Sequence, residues 1–478
     1  MAITRRQFIR RTGLATAGTL LGPSLFASPF VRRAFADLGD RYLIVIFLDG
    51  GNDGQNTVVP VDNGGGSLRA DYEDNRFSGG GGIRLTPAQL GGTLVGTDPN
   101  TGAQLALHPG FIGLKQLYDA GQLAVIQGCG YPEYSLSHEE SRLIWQSGNP
   151  LRLTPLSGTG WVGRHLAATY GGSQIPGVCI SDSIAPEFRQ STTSVLAIQE
   201  LENFGFPWDS FGSDETAKEL AFGALHANAV AGAQATQNFI GNAGNATLLS
   251  TSSYPALHTD YQADRPGFSQ QYADIDRSIA YDLREVAKVI YGVSSVPPAP
   301  NVGARFFHLA NNGYDTHSDQ GGATGQQYDL HREVGDSLKL FYDDLADMDS
   351  NLPDKVLTVV WSEFARRIEQ NGSGTDHGSQ GPMFVVGGPN ALNGGVYGNH
   401  PNIDALDIDD DGNGNTIYRQ TAHPFRSTDF RDVFGTILKR WLNMTELQIK
   451  SNILIPDVVG GEYWSEANGI NLNMGFLP

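Results

Sequence analysis

The sequence predicts an α/β fold in which helices cover both faces of a mostly parallel sheet. Three observations predict it: continuous apolar runs of strand length, helical periodicity between them, and glycines where the runs stop. The first run, residues 42–48, ends at Asp49-Gly50-Gly51, as expected of a strand buried on both faces. Glycine accounts for 60 of the 478 residues, almost twice the average share, and indicates long loops.

Strand and helix signals alternate at both ends of the chain, which is typical of βαβ units. In the first half they predict a helix at 111–120, a strand at 123–127, helices near 137–146 and at 161–170, and a strand at 178–181. In the last third they predict a strand at 305–309, a helix at 326–348, strands at 356–361 and 383–386, and a helix at 429–441.

Residues 182–300 interrupt this alternation. The segment is rich in Ala, Ser, Thr and Gln, and its periodicity predicts long helices at 215–240 and 275–291. We interpret it as a helical insertion forming one wall of the site, within a single large domain that spans residues 37–478.

The N-terminus carries the features of a twin-arginine signal peptide. Arg5-Arg6 precedes an apolar stretch at residues 14–30, and Ala34-Phe35-Ala36 supplies the small residues of a cleavage site. We therefore predict that residues 1–36 are removed, that the twin-arginine translocase is a partner during export, and that the mature protein is periplasmic or extracellular. The apolar stretch is too glycine-rich to span a bilayer comfortably, so we expect no membrane anchor after cleavage.

The charge of the chain argues against nucleic acid and anionic lipid as partners. The net charge is −19, and loss of the six arginines in residues 1–36 would bring it to −25. Such a protein repels polyanions and suits the binding of cations. The two cysteines, Cys129 and Cys179, are either two buried thiols or one disulfide formed after export.

Polar clusters follow several of the predicted buried strands. They contain Asp49, Asp315 with His317, Glu363, and Asp376 with His377. The carboxyl ends of parallel strands meet at one edge of a sheet, so we expect these side chains to share a pocket. Carboxylates mixed with imidazoles favour Zn²⁺ or Mn²⁺ over Ca²⁺ or Mg²⁺, and a cation would relieve their repulsion. Taken singly, Asp49 also fits a turn and Glu363 also fits an ion pair with Arg366 or Arg367.

An ordered set of motifs resembles a known family. The segments LDGGNDGQN, LHPGF, SLSHEES, GYDTHSDQ, WSEFARR and GTDHG, after a twin-arginine signal, are similar to the secreted bacterial family catalogued as domain of unknown function 1501. That family resembles the alkaline phosphatase and sulfatase superfamily. The resemblance implies an alkaline-phosphatase-like α/β/α sandwich that holds two metal ions.

The resemblance also implies roles for individual residues. Asp49 corresponds to the first-strand ligand, Asp315 and His317 to the middle pair, and Asp376-His377 to the Asp-His dipeptide. Only Thr316 separates the middle pair here, where the superfamily commonly has three residues. A last histidine ligand is supplied by His400 or His423, and we favour His423, just before the final helix.

Ser137 occupies the place of the superfamily nucleophile, at the start of the helix after the second strand, where the helix dipole favours an alkoxide. Ser137 and Glu140 also form the sequence of a capping box, and we favour capping as the role of this serine. The chain has no Cys-x-Pro-x-Arg segment, so a formylglycine sulfatase mechanism is not supported.

A separate acidic segment places Asp407, Asp409 and Asp411 at alternate positions before Gly412. This spacing is typical of a structural calcium loop, although the usual glutamate is replaced by Tyr418. A solvated acidic turn is the alternative.

The leading hypothesis is an exported metal-dependent hydrolase of phosphate or sulfate esters of small molecules or glycans. Cations would clamp the ester oxygens, Ser137 or a water would attack, and Arg366 or Arg367 would offset charge on the transferred group. The alternative is a non-catalytic periplasmic binding or assembly protein that retains the fold. The altered Asp-x-His spacing and the helical insertion favour this alternative.

Overall fold

The structure is a computed structural model. It describes residues 41–151, 156, 158–170, 175–190, 192–206, 215–230, 234–295, 298, 302–403, 408–410, 416–418, 423–424, 426–456, 464 and 469–478. The predicted signal peptide lies outside these residues, as do Asp407 and Asp411 of the predicted calcium loop. Asp409 lies in the short strand Ile408–Asp410.

The centre of the described chain is a sheet of nine strands. These are β1 (Tyr42–Asp49), β2 (Leu123–Gly130), β3 (Gly177–Cys179), β4 (Val195–Ala197), β5 (Phe306–Asn312), β6 (Val356–Trp361), β7 (Gly381–Gly387), β8 (Gly395–Tyr397) and β9 (Thr428–Asp429). They lie in the order β8–β2–β7–β6–β1–β5–β3–β4, with β9 also paired to β2. Strand β7 runs antiparallel to both of its neighbours, whereas the other pairings in this sheet are parallel.

The helices of seven or more residues in the described chain are α1 (Leu68–Asn75), α2 (Ile112–Asp119), α3 (His138–Ser147), α4 (Trp161–Thr169), α5 (Glu215–Val230), α6 (Ala235–Asp264), α7 (Pro266–Ile275), α8 (Ser278–Ser294), α9 (Gln326–Met348) and α10 (Phe430–Thr436). Single-turn α-helices are Gly54–Thr57, Pro87–Leu90 and Glu446–Gln448. Shorter 3-10 and π helices are Gly91–Thr93, Pro109–Phe111, Pro186–Phe188, Leu201–Asn203, Pro353–Lys355, Ile437–Trp441 and Ile449–Ile453.

Three smaller sheets complete the described strands. Val58–Pro60, Leu94–Thr97 and Gln104–Leu107 form a three-stranded antiparallel sheet. Ala365–Arg366 pairs with His377–Gly378, and Ile408–Asp410 pairs with Thr416–Tyr418.

Alternation along β1 shows why the sheet is covered on both sides. Tyr42, Ile44, Ile46 and Leu48 join one apolar core, and Leu43, Val45 and Phe47 join the other. Since successive side chains of a strand point to opposite faces, each face needs its own helical layer. Helices α2, α6, α8 and α9 pack on the first face, and α3, α4 and α10 on the second. The α/β/α arrangement predicted from sequence is therefore present.

The predicted helical insertion differs in detail from the structure. The expected helix at 215–240 is instead the pair α5 and α6, and Gly232, a poor helix former, lies between them in sequence. Residues 182–300 also contain strand β4 at the sheet edge. Helices α7 and α8 pack against α9, and α8 contacts β5.

Cys129 and Cys179 lie in β2 and β3 as separate buried thiols, so the structure shows the first of the two alternatives. Burial raises the pKa of both thiols far above its ordinary value. Among the described helices, none combines the length and apolar character that a membrane-spanning segment needs.

Helix α8 carries a carboxyl group that makes stability depend on pH. Burial, with the nearby Glu285, raises the pKa of Asp282 from 3.8 to about 7. A carboxyl group whose pKa is higher in the folded than in the unfolded protein stabilises the fold at pH values below its unfolded pKa. That stabilisation is lost as the pH rises through the folded pKa, which is about 7 here. We expect Asp282→Asn to raise the melting temperature by about 1–3 °C at pH 8 and by less at pH 5, measured by thermal unfolding. An equal shift at both pH values would contradict this assignment.

Candidate metal centre

The predicted convergence of polar residues occurs at one edge of the main sheet. Asp49 ends β1, Asp315 follows β5, and Glu363 follows β6. His377 also reaches this edge, although not from the carboxyl end of a strand as predicted. It precedes β7, and because β7 is antiparallel, its amino end meets the carboxyl ends of the other strands.

The core of the site is a group of three side chains. His138, Asp315 and His377 each offer one ligand atom, and these atoms all lie within 4.8 Å of one another. His138 Nε2 is 3.6 Å from Asp315 Oδ2, and His377 Nε2 is 3.2 Å from Asp315 Oδ1. Ligand atoms on a tetrahedral zinc ion lie about 3.3 Å apart, given Zn–N distances of about 2.0–2.1 Å. The spacing therefore fits a small divalent cation.

A third imidazole adjoins this group. His317 Nε2 lies 3.1 Å from Asp315 Oδ1 and 3.0 Å from His377 Nε2. Its other nitrogen, Nδ1, is 3.2 Å from Asp376 Oδ1. The structure thus brings four of the predicted ligands together, namely Asp315, His317, Asp376 and His377. Asp376 contacts the cluster through His317.

Each of the three imidazoles is held by an acceptor on its Nδ1 side. The acceptors are Glu363 Oε1 for His138 (2.9 Å), the Leu136 carbonyl for His377 (2.8 Å) and Asp376 Oδ1 for His317 (3.2 Å). An imidazole that donates from Nδ1 leaves its Nε2 lone pair free, which is how metal-binding histidines are usually oriented. The Nε2 atoms of all three rings face Asp315.

This arrangement brings the lone pairs of several ligand atoms close together around Asp315. In the neutral tautomers set by these acceptors, no hydrogen lies between His317 Nε2 and His377 Nε2, which are only 3.0 Å apart. The Asp315 carboxylate adds negative charge at the same point. A bound cation, or a proton on one imidazole, removes the repulsion. The donor set of imidazoles and one carboxylate suits Zn²⁺ or Mn²⁺.

The pKa shifts reflect these contacts. Burial lowers the pKa of His377, although its hydrogen bond to the Leu136 carbonyl opposes the shift. The hydrogen bond to Glu363 raises the pKa of His138 against the effect of burial. Burial alone would raise the pKa of Asp315, but the hydrogen bond and charge of Arg366, with His377 and His317, hold it below its usual range.

Arg366 is placed differently from the expectation that it offsets charge on a transferred group. Its side chain is fully buried, and all three guanidinium nitrogens donate to the protein. Nε and Nη1 donate to the carbonyls of Gly51 and Thr375, and Nη2 donates to Asp315 Oδ1 at 2.6 Å and to the carbonyls of Gly50 and Tyr314. Arg366 therefore fixes the loops after β1 and β5, and it has no donor directed to solvent.

Glu363 lies behind the cluster rather than in it. This fully buried carboxylate accepts from the backbone N–H groups of Gly50 and Gly51, from Ser362 Oγ and from His138 Nδ1. Both glycines have positive φ, and a Cβ on Gly50 would lie 2.3 Å from the Asp315 nitrogen. The glycines thus allow the β1 loop to bind Glu363, and Glu363 in turn orients His138.

Asp49 lies beside the cluster and is paired with Arg142 of α3. Its Oδ1 accepts from Arg142 Nη2, and the Arg142 guanidinium stacks over the Phe47 ring at 5.2 Å. Burial raises the pKa of Asp49, with Glu363 and Asp315 adding to the shift. Arg142 is about one-third exposed, so it presents positive charge at the site where Arg366 does not.

Ser137 does not cap helix α3, contrary to the favoured expectation. Its side chain makes no capping bond. Instead, Ser135 Oγ accepts from the Ser137 N–H and donates to Glu140, which takes the place of the predicted capping box. Ser137 is exposed and lines a cavity of about 490 Å³, together with Leu143, Asn149 and Arg189. Its neighbour His138 faces Asp315.

The two alternatives for a last histidine lie apart from the cluster in the described chain. His400 is buried, and its ring nitrogens face the carbonyls of Pro401 and Val58. His423 is buried beside the Tyr134 ring, 5.3 Å between centroids, and burial lowers its pKa to about 4. Neither has a described contact with Asp315.

His138 is the candidate ligand that sequence reasoning missed. It lies in SLSHEES, one of the motifs that carry the family resemblance, but it is not among the ligands predicted from sequence. The available signal was its position at the first turn of the helix after β2, which points toward the same sheet edge.

One comparison with known proteins bears on this site. The sequence pattern of a family described as "Protein of unknown function (DUF1501)" matches residues 299–454. This match supports the predicted resemblance of the chain to the DUF1501 family. The DUF1501 segment contains Asp315, His317, Glu363, Asp376 and His377, whereas Asp49 and His138 precede it. Among curated proteins, none matches the chain significantly.

Proposed function

We propose that the protein is an exported metal-dependent hydrolase of phosphate or sulfate esters, with an alkaline-phosphatase-like fold. The observation that supports it most is the orientation of three imidazoles, whose Nε2 atoms face Asp315 while acceptors hold their Nδ1 atoms. Such preorientation is costly without a cation and useful with one. The location supports it too, since ligands of open α/β sheets bind at this edge.

The residues that would hold the cation are His138, Asp315, His317 and His377. A divalent cation there would polarise an ester oxygen and lower the pKa of a water molecule. Arg142 binds the anionic group of the ester, because its guanidinium is partly exposed beside Asp49 while Arg366 is buried. The cavity next to Ser137 receives the leaving group, since about 490 Å³ is in the range of small-molecule sites.

Ser137 is the candidate nucleophile of this hydrolase. Its hydroxyl makes no capping bond, and it sits at the start of a ten-residue helix. The positive end of the helix dipole at this position would stabilise a developing alkoxide. A water molecule is the alternative nucleophile, and the two differ in whether Ser137 is required.

The test uses purified protein stripped of metal and reloaded separately with Zn²⁺, Mn²⁺, Ca²⁺ and Mg²⁺. We expect hydrolysis of p-nitrophenyl phosphate or p-nitrophenyl sulfate with Zn²⁺ or Mn²⁺ and none after chelation. Ser137→Ala should lower kcat by about 100-fold or more if the serine attacks, and by little if water does. His226→Ala, which removes an imidazole of helix α5 that has no described contact with the cluster, should leave the rate unchanged.

The second candidate is a binding or assembly protein that uses the cation structurally. The observation that favours it is the Arg366–Asp315 contact of 2.6 Å, which already supplies the carboxylate with a positive partner. Zinc binding without turnover of any ester in a broad panel would favour this role. Full activity in protein shown to be metal-free would reject the hydrolase mechanism.

A further inference from the structure

One buried amide joins the two loops that carry the metal ligands. Gln320 is fully buried, and its Oε1 accepts from Thr316 Oγ1 at 3.0 Å and from Thr375 Oγ1 at 2.7 Å. Thr316 lies between Asp315 and His317, and Thr375 directly precedes Asp376-His377. The same carbonyl oxygen thus accepts from two threonines, one between the ligands Asp315 and His317 and the other two residues before the ligand His377.

The other end of the Gln320 amide is anchored in the protein core. Its Nε2 donates to Asp53 Oδ2 at 2.6 Å and to Gln327 Oε1 at 2.9 Å. Asp53 is held by Arg76, which also donates to the carbonyls of Arg367 and Ile368. Gln327 belongs to helix α9. The ligand loops are therefore connected through one side chain to a helix and to a buried ion pair.

The chemistry of the four contacts specifies glutamine. A carboxylate such as Asp53 only accepts hydrogen bonds, so the amide nitrogen must face it. This orientation directs the oxygen to both threonine hydroxyls, and all four bonds of the amide are satisfied. Glutamate would oppose the Asp53 charge, and an apolar side chain would release both loops.

We propose that Gln320 is a positioning residue that fixes the spacing of Asp315, His317 and His377 and so sets the affinity of the metal centre. Direct backbone bonds support the same junction, because Thr375 N–H donates to the Thr316 carbonyl and Gln320 N–H donates to the Ser373 carbonyl. Gln320 does not contact the cation in this arrangement. The inference rests on the proposed metal centre, but not on the hydrolase activity.

The experiment measures zinc affinity by competition with a chromogenic chelator, together with the melting temperature of the metal-free protein. Gln320→Met is expected to weaken zinc binding by about 10–100-fold, as loss of outer contacts does at other metal sites. Gln127→Met is the matched control, since Gln127 is equally buried in β2 and its amide donates to the Gly398 carbonyl. Gln127→Met should leave the zinc affinity unchanged.

A double-mutant cycle separates positioning from general stability. The Thr316→Val, Thr375→Val variant removes both hydroxyl contacts and should lose zinc affinity to a similar extent. It therefore replaces Gln320→Met in the experiment if Gln320→Met does not fold. Adding Gln320→Met to this double variant should lower the zinc affinity little further, because the two hydroxyl contacts of the Gln320 oxygen are already absent. Wild-type affinity in the folded variants would overturn the positioning role. A wild-type protein that binds no zinc would reject the metal centre as well, whereas zinc binding without ester hydrolysis would reject only the hydrolase.

Discussion

Asp315→Asn is expected to abolish high-affinity metal binding, with a loss of more than about 100-fold in zinc affinity and the loss of any metal-dependent hydrolysis. Asp315 is the point on which all three imidazoles and Arg366 converge. Asparagine has nearly the same shape but no charge. It therefore removes the anionic ligand and leaves the buried Arg366 guanidinium without its carboxylate partner. Elemental analysis of the exported protein and chelator competition measure the effect.

Asp319→Asn is the matched control for this change. Asp319 follows in the same loop, is exposed, and has no described contact with the three histidines. The same substitution there should leave zinc content and affinity unchanged. Equal zinc content in Asp315→Asn and wild-type protein would show that the cation, if any, binds elsewhere.

The sheet edge was predictable because it follows from backbone geometry. Apolar runs mark buried strands, parallel strands end at a common edge, and polar residues just beyond those ends must meet there. This reasoning placed Asp49, Asp315 and Glu363 correctly at the edge. It reached His377 for the wrong reason, since the direction of β7 depends on pairing between distant segments that no local pattern encodes.

The roles within the cluster were less accessible from sequence. Glu363 has the chemistry of a metal ligand, and Arg366 has that of a substrate-binding residue. Both are buried, however, and together they form hydrogen bonds with the backbone of the loops after β1 and β5. Ser137 matches a capping box by spacing, yet Ser135 supplies the nearby contacts instead. Burial and competition between neighbouring donors are tertiary properties, so the motif alone left these alternatives open.

A second aspartate of the LDGGNDGQN segment, Asp53, is buried in an ion pair. Asp53 and Arg76 are both fully buried and joined by two contacts of 2.6 and 3.0 Å. Asp53→Asn leaves the Arg76 charge buried without a partner, and we expect a loss of about 3–5 kcal/mol in the free energy of unfolding. Denaturant titration followed by tryptophan fluorescence measures it. The effect should exceed that of any single change at the exposed rim of the metal centre.

The comparison that tests this explanation is Asp343→Asn, which breaks the exposed ion pair with Lys339 on helix α9. Exposed pairs contribute about 0–1 kcal/mol, so this variant should unfold almost as wild type does. Asp53→Asn combined with Arg76→Met should recover part of the loss, because the uncompensated charge is then gone. Failure of the second substitution to restore any stability would mean that the Asp53 bonds to Gln320 and the Gln55 N–H, not the ion pair, hold this region together.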